Sequence, residues 1–146
     1  MEYIIDKDKA FLRLDKEQDL FSSILKVAND EKWQSAHISG IGALKDIELG
    51  YYNIDSKTYT RKKFNDSHEL INLDGNLSIL EGKRFLHLHT TLSNKDFQCI
   101  GGHLFSALIS VSCEVNIRLF TANVTRKLND IVGLPCINFD NCRSEL

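Results

Sequence analysis

Apolar and polar residues alternate along most of this chain with the two-residue period of half-buried strands. The clearest run sets Ala107, Ile109, Val111, Cys113, Val115, Ile117 and Leu119 on one face and Ser106, Ser110, Ser112, Glu114, Asn116 and Arg118 on the other. It predicts a long antiparallel strand buried on one side. Such length is unusual in a lone small sheet, and points to a packed or subunit-contacting one. From Glu69 to Ile79 the alternation puts Ile71, Leu73, Leu77 and Ile79 opposite Asn72, Asp74, Asn76 and Ser78. The turn signal Glu81-Gly82-Lys83 then predicts a hairpin with a strand from Arg84 to Leu92, and Ser93-Asn94-Lys95-Asp96 turns the chain into another from Phe97 to Leu104.

Nearer the N-terminus, Tyr3-Ile4-Ile5 and Ala10 to Leu14 flank the turn-prone Asp6-Lys7-Asp8-Lys9 and predict an opening strand pair. Leu20, Phe21, Ile24, Leu25 and Ala28 recur at helical spacing, with Asp15 or Asp19 as the cap and Trp33 packing at the helix end. Ala36 to Ile41 and Ile47 to Tyr52 read as two strand runs, with Gly40 and Gly42 marking a turn, a bulge or a close backbone contact. A phosphate-cradling loop would need a helix to follow, whereas Asp46-Ile47-Glu48-Leu49 alternates like a strand. The whole predicts a single α+β domain over residues 1–146, a mainly antiparallel sheet flanked by a few helices. The tail at 122–146 carries Ile131-Val132-Gly133-Leu134 and the lone proline, Pro135, and is expected to close over the sheet or a neighbour.

Composition narrows the picture without sharpening it. Apolar residues make up 42% of the chain and charged ones 26%, ordinary for a globular domain of 146 residues. The formal net charge of −2 gives no overall electrostatic footprint for nucleic acid. The most basic stretch, Asp55 to Asn65, carries Lys57, Arg61, Lys62 and Lys63; it reads first as a solvated hairpin face and second as a nucleic-acid patch. No run approaches the roughly 20 apolar residues of a membrane span, and no signal peptide is visible. With no C-x-x-C pair, Cys99, Cys113, Cys136 and Cys142 are expected to be reduced thiols of a cytoplasmic protein.

Chemistry concentrates in Phe85-Leu86-His87-Leu88-His89 and Gly101-Gly102-His103-Leu104. In a strand, residues i and i+2 leave the same face about 7 Å apart, so His87 and His89 can converge on one ion. His-x-His alone is equally at home as two hydrogen-bonded sheet histidines. A third imidazole, His103, follows two glycines that let backbones approach closely. Three neutral imidazoles suit zinc, with nickel, copper or iron also compatible, and leave a fourth position for water. Glu69, His68, Asp74 and Glu114 are nearby polar residues for a supporting or base role, Glu69 first among them, while His37 reads as a satisfied sheet histidine.

Taken in order, Phe11-Leu12-Arg13-Leu14-Asp15, Ile38-Ser39-Gly40-Ile41-Gly42-Ala43-Leu44, Glu69 to Asn76, His87-Leu88-His89, Gly101-Gly102-His103-Leu104 and Glu114-Val115 resemble the PPC (plants and prokaryotes conserved) domain, from about residue 3 to about residue 121. The resemblance implies an α/β fold assembled as a homotrimer, metal ligands at His87, His89 and His103, and a family described as DNA-binding or regulatory. Plant relatives reach AT-rich minor grooves through AT-hooks. This chain has no Arg-Gly-Arg-Pro core and has Lys16-Glu17-Gln18 where the family is usually richer in glycine. The expected function is therefore a trimeric metal-binding regulatory or interaction module. The alternative is a small metal-dependent enzyme in which a zinc-bound water acts on a substrate the sequence does not name.

Overall fold

A computed structural model describes residues 1–139; Cys142 and the rest of the predicted tail beyond Phe139 lie outside the described residues. The described chain is one domain of mostly antiparallel strands with one helix, where the sequence led us to expect a few. In chain order the elements are β1 (Glu2–Asp6), β2 (Lys9–Asp15), α1 (Leu20–Asp30), β3 (Ala36–Asn53), β4 (Thr58–Phe64), β5 (His68–Leu80), β6 (Lys83–Ser93), β7 (Cys99–Leu119), β8 (Thr125–Asn129) and β9 (Leu134–Asn138).

Local chemistry explains the punctuation. The β1–β2 turn forms where the sequence predicts it, with Lys7 at φ 57°. Asp19, not Asp15, caps α1, its carboxylate accepting from the Ser22 amide at 2.7 Å. Asp15 is taken up by the N-terminal amine and Arg13. The helix ends where Lys32 adopts φ 58°, and Trp33 packs into the core there. Glu81 and Gly82, both at positive φ, make the two-residue turn between β5 and β6 whose twist suits a hairpin.

Strand β7 joins the sheet together. Its first residues pair with β6, its whole central length with β3 and its end with β2. Because β3 also pairs with β5, and β5 with β6, the strands β3, β5, β6 and β7 form a closed circuit of hydrogen bonds. Leu44, Leu73, Leu77, Leu88, Leu92 and Leu104 are among its fully buried side chains. The apolar stripe of α1, Leu20, Ile24, Val27 and Ala28, belongs to the same core, and the helix lies against β6 and β7.

Register shifts at bulges change the faces that simple alternation assigns. The β5–β6 register shifts between Leu70 and Asn72, so Leu70, Leu73 and Leu77 are buried while Ile71 is exposed. The β3–β7 register shifts at Gly42/Leu44, which sets Val111 outside, and again on either side of Glu48. At the first of these, Ile109 exchanges backbone hydrogen bonds with Glu17 and Gln18. The inward residues of β7 consequently change parity between Leu104 and Ala107. The runs Phe97 to Leu104 and Ala107 to Leu119 are thus one strand, and the runs on either side of Lys45 are likewise the single β3.

Leu88 sits fully buried in the strand that carries two of the histidines. Replacing Leu88 by Ala should lower the unfolding free energy by about 2–5 kcal/mol, read from urea denaturation.

Candidate metal centre

The β5–β6 hairpin and the start of β7 bring His87, His89 and His103 together on the outer face of the closed circuit. On β6 the even positions Leu86, Leu88, Thr90 and Leu92 face the core, so His87 and His89 share the opposite face. His103 is the direct cross-strand partner of His89 and, on its other side, of Gly50. The glycines work as the sequence reading expected: a Cβ on Gly102 would lie 2.9 Å from the Gly50 carbonyl oxygen. Gly50 in turn leaves the room that the Phe105 ring occupies, 2.4 Å from where its Cβ would stand. Phe105 and Tyr59 then pack on the His103 ring at 4.5 and 5.2 Å between centroids.

The three imidazole centroids form a nearly equilateral triangle with sides of 5.1, 5.1 and 5.2 Å. One nitrogen from each ring lies within 4.8 Å of the others, and the Nε2 atoms of His87 and His89 stand 3.2 Å apart. Tetrahedral zinc with bonds of about 2.0–2.1 Å asks for nitrogens about 3.3 Å from one another, so the pair already has that spacing. His103 Nδ1 is buried and has no hydrogen-bond partner among the described residues, a polar atom that a coordinated ion would satisfy. The residues fit a divalent transition metal.

Burial and neighbouring charge keep two of these rings, His87 and His103, neutral. Burial, followed by the charge of Arg126 and the neighbouring His89, brings the pKa of His87 down to about 4. His103 is likewise lowered to about 4, by burial first, then His87, His89, Arg61 and Arg126. Neutral imidazoles are the form that ligates. Such an ion would supply a Lewis acid with a coordination position left for water or another ligand.

The other sequence-selected residues are spread more widely. Asp74 is the direct cross-strand partner of His89, and its carboxylate accepts from His37 Nε2 at 3.0 Å. Glu69 lies at the opposite end of β5, where with Glu114, Ile41, Ile71 and Val111 it lines an open hollow of about 490 Å³. Asp74 therefore holds the position beside the histidines that the sequence reading gave first to Glu69. His68 is buried at the start of β5, donating from Nδ1 to the Asp66 carbonyl. The basic residues are divided as well: Arg61 stacks on Phe105 at 3.7 Å and reaches Glu48, whereas Lys62 lies over Phe64 and Lys57 donates to the Asp130 carbonyl. Sequence reasoning missed Arg126, whose Nη2 donates to His87 Nδ1 at 3.2 Å from the C-terminal hairpin. No local signal marks it, since β8 is polar apart from Leu128.

Fold and site together define a single-domain sheet protein with a three-histidine group that could hold a metal ion. The chain belongs to the Plants and Prokaryotes Conserved (PCC) domain family, the PPC domain of the sequence reading, whose model matches residues 5–121. No curated protein matches it. Among solved structures, a metal-containing protein from Archaeoglobus fulgidus is 34% identical, with a TM-score of 0.85 over 94% of this chain and 96% of that one. A PPC protein from Pyrococcus horikoshii is 28% identical (TM-score 0.83, 94% of each chain). A candidate DNA-binding protein from Bacteroides thetaiotaomicron is 27% identical (TM-score 0.91, 95% and 97%). No helix among the described residues is long and apolar enough to cross a membrane.

The lowered pKa values set a pH dependence for the metal-free protein. Between the ordinary value of 6.5 and the folded value of about 4, the unfolded chain binds protons that folded His87 and His103 refuse. Stability is then expected to fall as pH drops through that window. Urea midpoints measured in chelator should decline from pH 6.5 to pH 4, and less steeply in a His87→Gln variant.

Proposed function

We propose that this chain is a metal-binding PPC-domain module, with zinc or a similar divalent ion such as nickel held by His87, His89 and His103, working as a homotrimeric regulatory or interaction protein in the cytoplasm. The observation that carries the metal reading is the convergence of three imidazoles, two of them with Nε2 atoms 3.2 Å apart. The relative from Archaeoglobus fulgidus described as metal-containing supports it. Free thiols at Cys99, Cys113 and Cys136 suit a reducing compartment. Purified protein should carry metal at the site, and His89→Ala should lose most of it by elemental analysis. Undiminished metal in that variant would sink the assignment.

Self-assembly is supported by the hollow around Ile41, Ile71 and Val111, three exposed apolar side chains grouped on one face with Ala43 and Leu70 beneath. The bulges that turn Ile71 and Val111 outward create this face. Ile71→Lys, placing a charge there, should shift the protein from trimer to monomer in light scattering while leaving its circular dichroism unchanged. A wild-type chain that is monomeric at high concentration would overturn the trimer.

DNA association belongs to this reading only through the family description and the relative from Bacteroides thetaiotaomicron. Lys57, Arg61, Lys62 and Lys63 would have to carry it, and the alternation of β4 sends Arg61 and Lys62 to opposite faces. The second reading, a metal-dependent enzyme, is favoured by one observation: Asp74, whose carboxylate accepts from His37, is the cross-strand partner of His89, so a carboxylate and an imidazole stand one and two strands from the centre. In that reading Asp74 would hold or move a proton near the centre, with His37 orienting its carboxylate.

A further inference from the structure

The β8–β9 hairpin falls beyond residues 5–121 that match the family, and it is fastened on both sides of the histidine centre. At its loop, the Tyr52 hydroxyl donates to the Val132 carbonyl at 2.5 Å and Lys57 Nζ to the Asp130 carbonyl at 2.6 Å. At its base, β8 pairs with the end of β5, and Arg126 reaches inward. The guanidinium Nε donates to Ser78 Oγ at 2.9 Å, Nη1 to the Pro135 carbonyl at 2.9 Å, and Nη2 both to Asn76 Oδ1 at 2.8 Å and to His87 Nδ1 at 3.2 Å.

The last of these bonds constrains the ring. A guanidinium has only donors, so Nδ1 of His87 must offer its lone pair. The single proton of the neutral ring is then on Nε2, and Nε2 donates to His89 Nε2, 3.2 Å away. An ion held through His87 Nε2 needs the lone pair on Nε2 instead. The ring's proton then sits on Nδ1, facing the Arg126 N–H, and two donors cannot share a hydrogen bond. The fixed positive charge of Arg126 also opposes a cation at the centre.

We propose that Arg126 and the metal ion compete for His87, so that loading the centre releases the Arg126 clasp and loosens the C-terminal hairpin. This inference rests on the metal reading above. Arg126 is then a positioning residue that sets the metal-free state of His87, and metal affinity and hairpin docking are reciprocally linked.

Zinc titration of the full-length protein against a chromophoric chelator, paired with hydrogen exchange, tests the idea. Arg126→Met should bind zinc at least about five-fold more tightly than wild type. Amides of residues 125–138 should exchange faster in wild type with zinc than without it. In the zinc-free protein, long-range nitrogen-15 spectra should show the His87 proton on Nε2. Tyr52→Phe, which frees the loop of the same hairpin without touching Arg126, should raise zinc affinity by clearly less than Arg126→Met does. A folded Arg126→Met protein that binds zinc no more tightly, an equal gain in Tyr52→Phe, or slower exchange of the hairpin with zinc overturns the proposal. Wild-type protein that takes up no zinc at all ends the metal reading and this inference together; zinc uptake with no gain in Arg126→Met ends this inference alone.

Discussion

The backbone pairing of β7 is the constraint on which the rest depends. One strand serves three neighbours, and through β3, β5 and β6 it closes a circuit of hydrogen bonds with no free edge inside it. To do so it must bend, and it bends at bulges, because each extra residue increases the local twist and re-aims the side chains that follow. One bulge lies just past His103 and Phe105, where the inward parity changes; another turns Val111 out to solvent. The histidine centre and the apolar face are therefore two products of the same backbone accommodation.

Around the centre, small residues and rings divide the work. Gly50 and Gly102 let β3 and β7 come close, and the space at Gly50 is filled by Phe105, which supports His103. Arg61 covers the other side of Phe105. His87 and His103 are half-buried and near two guanidinium groups, which keeps them unprotonated well below neutral pH, while His89 is exposed. A site of this kind is held ready for an ion by packing rather than by carboxylates, which are represented beside it by Asp74 alone among the acids singled out from the sequence.

Much of this was legible in the sequence, for identifiable reasons. His87, His89 and His103 could be found because strand alternation and a Gly-Gly step are local signals. The β5–β6 turn at Glu81-Gly82 and the helix from Leu20 also follow from local chemistry. Faces were misread wherever a bulge changed parity: Ile71 and Val111 continue the apolar alternation but lie outside, and β3 and β7 each looked like two strands. Gly40 and Gly42 do mark a bulge on β3, but nothing local shows which side chains of the partner strands a shift re-aims, since that depends on pairing distant in sequence. Arg126 was missed for the same reason, because only the folded hairpin carries it across to His87.

All three imidazoles come from one β-hairpin, the stretch from His87 through the β6–β7 turn to His103. The ligands therefore meet over a short loop, whose closure costs little chain entropy, while the long-range β3–β7 pairing must close a much larger one. The centre is thus among the parts of this fold that can take shape early, before the sheet around it is complete. An ion captured at that stage would act as a staple on the nascent hairpin, and the place of three histidines in the chain would then tie the order of loading to the order of folding.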